Sequence, residues 1–245
     1  MPGKRPGFVD VHSHVCPSGD DGAKTVEHGR ELCRSAARQG TRILFATPHI
    51  WAHLGLDSPR ERGIRDAFAR LAPQAGLELR LGFELTPSGW LLEDDLRRYE
   101  LDGTGAVLIE LPFAGPADLF FSVAERAEEQ GLRVIAAHPE RTDCVIAEPA
   151  LAAEIAGRGW LVQVNGSSLT GWEGPEIEEL GWRFLADGTA ALVGSDGHRP
   201  TRPAHLDEAY ERAAKRLGPE IGRLFDGSAL GLDANLEAEA ASHQA

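Results

Sequence analysis

The chain has 245 residues, 42% of them hydrophobic and 26% charged, which is too apolar for a disordered chain and is long enough to bury a sizeable core. Its formal net charge of −13, with acids spread throughout, speaks against non-specific binding to nucleic acid or an anionic membrane. No run approaches the roughly 18 apolar residues of a membrane span, MPGKRPG leads into no signal-peptide core, and Cys16, Cys33 and Cys144 are too few and too scattered for a disulfide framework.

These features predict a cytoplasmic protein without membrane insertion. With no linker visible, a single domain over 1–245 is expected, its tail fraying after about 236. Seven apolar, partly β-branched segments read as buried strands, at 8–12, 42–47, 77–83, 106–111, 133–137, 160–164 and 190–194. Between the first two, TVEHGRELCRSAARQG sets Val26, Leu32, Cys33, Ala36 and Ala37 on one helical face and stops at Gly40. PADLFFSVAERAEEQG does the same before the fifth strand, with Pro116 at the start and Leu119, Val123 and Ala127 at helical spacing. Further helices are expected near 59–75, 88–98, 148–158, 174–187 and 203–217. Such alternation favours a parallel sheet with right-handed crossovers, and seven units suit a (β/α) barrel one short of eight; a doubly wound open sheet is the alternative.

The residues after each strand carry the chemistry. His12, His14 and Asp21 follow the first, His49 the second and Glu84 the third. Glu110 ends the fourth, His138, Glu140 and Arg141 follow the fifth, Asn165 the sixth, and Asp196 and His198 the seventh. A parallel barrel puts all of these on its C-terminal face, where the active sites of such folds lie. Five of the nine histidines are there, whereas His28, His53, His205 and His243 sit off the strand ends and read as structural. Imidazoles and carboxylates are the ligand set for zinc, manganese or iron, and nine of them suit two or three ions. Divalent cations would also offset the repulsion among Asp21, Glu84, Glu110 and Asp196. Asp20 and Asp21 before Gly22 equally suit a turn or a helix cap ahead of Thr25. SGDDGAKT is no phosphate loop, since Ala23 stands where glycine is needed and two acids would repel the phosphate. A metal site of this type activates water for phosphate ester hydrolysis, and Arg141, Arg199 and Arg202 are placed to hold the phosphate.

Taken together, DVHSH, DDGAKT, ATPH, HPER, GSDGH and TRP resemble the PHP (polymerase and histidinol phosphatase) superfamily. Within it, the chain is similar over about 8–235 to the bacterial manganese-dependent protein-tyrosine phosphatases of the CpsB/CapC group, found in capsular and exopolysaccharide loci. The resemblance implies a distorted (β/α)7 TIM-like barrel, the PHP fold, with three divalent ions, Mn²⁺ foremost and Fe or Zn as alternatives. One ion would take His12, His14 and Asp196, with Glu84 bridging to a second held by Glu110 and His138; the third would take Asp21, His49 and His198. Arg141 and Arg202 match the phosphate-binding arginines, and a hydroxide bridging the metals would attack phosphorus. The implied substrate is phosphotyrosine on a partner protein, a tyrosine kinase of the polysaccharide pathway. Three departures stand out: Ile50 replaces a second histidine after ATPH and is expected to alter the wall of the cleft, Ser18-Gly19 changes a loop at the mouth, and the stretch between SDGH and TRP is one residue shorter.

Two other readings fit the same residues. One is a PHP phosphoesterase acting on histidinol phosphate, a sugar phosphate or a nucleotide. The other is a non-catalytic module that binds a kinase of that pathway. A cysteine phosphatase is excluded, because six residues after each cysteine stand Gly22, Gln39 and Ala150, never arginine.

Overall fold

The structure, a computed structural model, describes residues 7–232; the expected fraying after about 236 and His243 lie outside these. Nine strands, all paired in parallel, run in the order β1 (Phe8–Asp10), β2 (Thr41–Ala46) and β4 (Glu78–Leu81), then β3 (His49–Ile50), β5 (Glu84–Leu85), β6 (Ala106–Glu110), β7 (Arg133–Ala137), β8 (Leu161–Asn165) and β9 (Ala190–Gly194). β2 and β4 are the second and third expected strands, and each resumes past its expected end, as β3 and β5, after a two-residue interruption at the same level. Pro48 lacks a ladder donor there, and a Cβ on Gly82 would stand 2.3 Å from Leu101. Ser13 and Gly197 form a parallel bridge, while the His14 and Asp196 amides donate to Gly197 and His12 carbonyls at 2.8 and 2.9 Å. The last strand thereby meets the first, and the result is a distorted seven-unit (β/α) barrel.

Alternation along the strands divides the core in two. Leu44, Ala46, Leu79, Leu81, Val107, Ile109, Val134, Ala136, Val162, Val164 and Val193 pack against the surrounding helices. Val9, Val11, Ile43, Phe45, Leu108, Ile135, Ala137 and Leu192 form a separate cluster with Leu230 and Leu232, the filling of the barrel. Following that inner series toward the C-terminal edge, the residues turn polar: Ile43–Phe45–Thr47–His49, Leu108–Glu110, Leu161–Gln163–Asn165 and Leu192–Gly194–Asp196. Period-two geometry alone thus brings ligand-type side chains from several strands to one end of one cavity.

The helices lie outside this ring: α1 (Val26–Arg38), α2 (Ser58–Leu71), α3 (Asp118–Glu129), the short α4 (Asp143–Ala147), α5 (Ala150–Gly157), α6 (Gly166–Leu169), α7 (Pro175–Ala186) and α8 (Asp207–Leu217). Thr25 caps α1, its side chain accepting from the His28 amide. Leu119, expected in the core, is exposed on α3, and Phe120 takes the buried position with Val123, Ala124 and Ala127. No α-helix forms over 88–98, where the chain makes two 3₁₀ turns, Gly89–Leu92 and Leu96–Tyr99. Asp94 and Asp95 interrupt the pattern, Asp95 capping the second turn by accepting from the Arg97 amide, and Gln130 bridges the break by accepting from the Leu96 amide and donating to the Asp94 carbonyl. No helix among the described residues is long and apolar enough to cross a membrane. Cys16, Cys33 and Cys144 are free; burial pushes the first two thiols up to about 12.

Candidate metal centre

All nine expected ligands meet at the C-terminal mouth of the barrel. Four groups have ligand atoms mutually within 4.8 Å: His14, Asp21, His49 and His198; His12, His138 and Asp196; His12, His14 and Glu84; and His49, Glu84 and Glu110. This grouping differs from the resemblance-implied partition in setting His138 with His12 and Asp196, and Glu110 with His49. Apart from Asp21, whose side chain is 57% exposed, these residues are buried.

Glu84 is the hub. Its Oε2 stands 3.0 Å from His12 Nε2 and 3.1 Å from both His14 Nε2 and His49 Nδ1, while Oε1 lies 3.0 Å from His138 Nε2. Burial alone would raise its pKa, but the charges of His12 and His49 hold it well below the carboxylate range. Glu110 accepts a short bond from Thr86; burial first, then the charge of Glu84, lifts its pKa well above the normal range. Burial drives His49 down to about 4 and lowers His138 and His198. His12 and His14 are raised against the effect of burial, His12 by the charges of Glu84 and Asp196, and His14 by hydrogen bonding with Asp196, Asp20 and Glu84.

Asp196 joins two halves of the site. Its Oδ1 faces His14 Nε2, His12 Nε2 and His198 Nδ1 at 3.4, 3.5 and 3.4 Å. Oδ2 accepts from Arg141 Nη1 and Asn165 Nδ2 at 2.8 and 2.9 Å and, in a short bond, from Arg202 Nη2. The two arginines therefore sit one carboxylate away from the imidazoles. Arg199 has an exposed side chain, and its backbone pairs with that of Arg202. Asp196 (φ 52°) and His138 (φ 35°) are the non-glycine residues with positive φ among those described, a conformation that costs about 1–3 kcal/mol and concentrates at functional sites. Gly197 lets this loop close, since a Cβ there would lie 2.5 Å from Ala204 backbone, and Gly22 likewise abuts the His14 carbonyl.

A supporting layer surrounds the ligands, of which the strand-end pattern marked Asn165 and Glu140 but not Gln163 or Asp10. His12 Nδ1 donates to Gln163 Oε1 at 2.9 Å, Gln163 Nε2 to Asn165 Oδ1 at 2.9 Å, and Asn165 Nδ2 to Asp196 Oδ2. This directed chain fixes the His12 tautomer with the Nε2 lone pair facing the centre. Asp20 is a brace rather than a simple turn residue: its Oδ2 accepts from the His49 amide at 3.1 Å and stands 3.5 Å from His14 Nδ1, and its Oδ1 accepts from the Gly22 amide. Asp10, raised to about 6 by burial, accepts from the Ser195 and His12 amides. Glu140, pushed up to about 7 by burial, turns away and accepts from the Asn165 amide and Ser168 hydroxyl. Ile50 lies in the outer core, so it does not alter the cleft wall as expected; the ring beside His49 is Trp51, stacked at 4.6 Å. His205 is structural, its Nε2 2.9 Å from Ser35 Oγ.

The donor set fits divalent cations. His12 Nε2 and His14 Nε2 face each other at 3.1 Å, close enough to share either a proton or a cation. Glu84 Oε2, Glu110 Oε2 and His49 Nδ1 are buried without a hydrogen-bond partner, and a metal–ligand bond would satisfy each. Because the group that accepts the outer N–H of a metal-binding imidazole, here the Gln163 amide oxygen on His12 Nδ1, matters nearly as much as the ligand itself, Gln163→Leu is expected to weaken metal affinity about 10- to 100-fold. Titration with Mn²⁺ followed by calorimetry checks this, and unchanged affinity would show that the tautomer is set elsewhere.

A parallel barrel whose strand ends converge on buried imidazoles and carboxylates able to hold metal ions, with two arginines alongside, defines a class of α/β barrel proteins. Within that class, the chain belongs to the CpsB/CapC family of capsular polysaccharide synthesis, whose model matches residues 8–225. It is 28% identical to the tyrosine-protein phosphatase YwqE of Bacillus subtilis, over 87% of each chain. It is 27% identical to the tyrosine-protein phosphatase CpsB of Streptococcus agalactiae, over 87% of this chain and 92% of that one. A solved chain from the work on YwqE of B. subtilis and CpsB of Streptococcus pneumoniae, described as unique metal-dependent tyrosine phosphatases, superposes with a TM-score of 0.81 at 28% identity, covering 91% of this chain and 92% of that one. Dihydropyrimidinase from Brevibacillus agri, at 15% identity and a TM-score of 0.57, shares the fold alone.

Proposed function

We propose that this chain is a metal-dependent phosphoric monoester hydrolase that removes phosphate from tyrosine on a partner protein, a tyrosine kinase of the polysaccharide pathway, in the cytoplasm. The observation that carries the reading is the convergence of nine imidazoles and carboxylates, Glu84 among them, together with family membership and relatives named as tyrosine phosphatases. His12, His14, Asp21, His49, Glu84, Glu110, His138, Asp196 and His198 would hold three divalent ions, Mn²⁺ foremost. Bound there, such ions lower the pKa of water and neutralise phosphoryl oxygens.

The residues of the chain do the rest. Arg141 and Arg202, already forked onto Asp196 Oδ2, turn their free N–H groups to the phosphoryl oxygens, and Arg199 approaches from the rim. Glu84 and Asp196 keep the imidazoles oriented. A phenolate, with a pKa of about 10, leaves without a dedicated acid more readily than an alkoxide does.

The test is metal analysis together with hydrolysis of a phosphotyrosine peptide, histidinol phosphate and a sugar phosphate, with and without Mn²⁺, for wild type and His138→Ala. Mn²⁺-dependent turnover of the peptide, lost by at least about 100-fold in the variant, is expected. Preference for a small phosphomonoester would replace the protein substrate, and full activity in His138→Ala would sink the mechanism.

A further inference from the structure

Phe113 is a large apolar side chain left 48% exposed at the lip of the polar centre, three residues after Glu110. Its position is fixed from several sides. Its carbonyl accepts from the Asp143 amide at 3.0 Å, and its ring stacks on His138 with centroids 5.8 Å apart and planes 16° from parallel. The Arg141 guanidinium lies 5.1 Å from its ring centroid. Leaving about half of a phenyl ring in water forgoes burial that would favour the fold, and this one stands within one side chain of both a candidate metal ligand and a phosphate-binding arginine. Trp51 also borders the centre, stacked on by His49 at 4.6 Å and His53 at 5.3 Å, but Arg141 lies over the ring of Phe113 and not over that of Trp51.

We infer that Phe113 is the platform on which the aromatic ring of the substrate rests, and so the residue that makes the site prefer aryl over alkyl phosphomonoesters. This rests on the phosphotyrosine reading above and adds a specificity element to it. A phosphoryl group held by Arg141 brings the first atoms of its ester group beside the ring that the same guanidinium touches. An aryl ester finds an offset-stacking partner there, whereas an alkyl ester finds only a small contact area.

The experiment compares phenylphosphonate with methylphosphonate as competitive inhibitors of the Mn²⁺-loaded enzyme, so that leaving-group chemistry does not enter. Wild type, Phe113→Ala and Phe113→Trp are measured, and metal content is determined for each. The expected result is that Phe113→Ala weakens phenylphosphonate about five-fold relative to methylphosphonate, while Phe113→Trp keeps the wild-type ratio. Equal weakening of both inhibitors, with or without loss of metal, would show that Phe113 only shields His138 or steadies Arg141, and would overturn the inference. So would no change in either. Failure of the phosphotyrosine reading is separate: there the wild type hydrolyses a small phosphomonoester and not the peptide, and the inhibitor ratio is read with that substrate as reporter.

Discussion

Treating the purified protein with a chelator is expected to lower its Tm by about 8–16 °C for each tightly held ion and to abolish phosphatase activity, both returning with Mn²⁺. One site at a free metal concentration of about 1,000 times Kd adds about 4 kcal/mol to the folded state. A chain of this size moves in Tm by about 2–4 °C per kcal/mol. The physical reason is the density of buried charge. Glu84, Glu110 and Asp196 are all buried, and Glu110 is driven toward its neutral form by burial and by the charge of Glu84. Cations reverse that tendency, so metal binding and folding are coupled at this centre. Glu84→Gln keeps the shape but removes the charge that four imidazoles share, and the response of its Tm to chelator should shrink to that of the one ion grouped with Asp21, His49 and His198, about 8–16 °C. A wild-type Tm insensitive to chelator would mean that no ion is held there.

Most of this centre could be read from the chain because two simple regularities coincide. Apolar strands announce themselves, and a parallel barrel puts whatever follows each strand on one face, so His12, Glu84 and His138 could be assigned to one place across more than a hundred residues. What could not be read was orientation within that place. Which imidazole faces which carboxylate depends on ring rotation and on loops such as the one at Asp196, whose positive φ leaves no mark in the residue type. Gln163 and Asn165 did leave a signal: they share the parity of Leu161 in an otherwise apolar strand, and polar groups facing a barrel interior need partners. Asp20 and Asp21 look alike in sequence, yet the turn at Gly22 buries one as a brace and leaves the other half in water. Leu119 and Phe120 are both apolar neighbours, and helical spacing alone does not say which of two adjacent faces meets the sheet; the larger ring went inside. Over 88–98, spacing suggested a helix, but paired aspartates compete for the backbone amides and 3₁₀ turns resulted.

Asp196→Asn is expected to lower kcat/KM for a phosphotyrosine peptide by at least about 1,000-fold, or about 4 kcal/mol of transition-state stabilisation, while the chain still folds. Asparagine is among the residues best able to occupy the left-handed region, so the backbone at φ 52° is kept. What changes is electrostatic. The carboxylate is held well below its normal pKa, with burial opposed by the charges of His12, His138 and Arg202 and by hydrogen bonding with His14; an amide supplies none of that charge. It also brings an NH₂ group toward either the arginines or the imidazoles, so one side of the junction meets a donor where it needs an acceptor. Breaking a buried pair leaves the partner charge uncompensated at a cost of about 3–5 kcal/mol, and here two guanidiniums lose their shared anchor at once. Asp196→Ala separates the causes, because it adds backbone strain to the same loss of charge and should be less stable than Asp196→Asn. Metal content, thermal melting and peptide kinetics on the two variants distinguish these effects. If Asp196→Asn kept its metal and lost less than about ten-fold in kcat/KM, the carboxylate would be neither ligand nor anchor, and Arg141 would have to be positioned by Glu173, which stands 3.5 Å from its Nε.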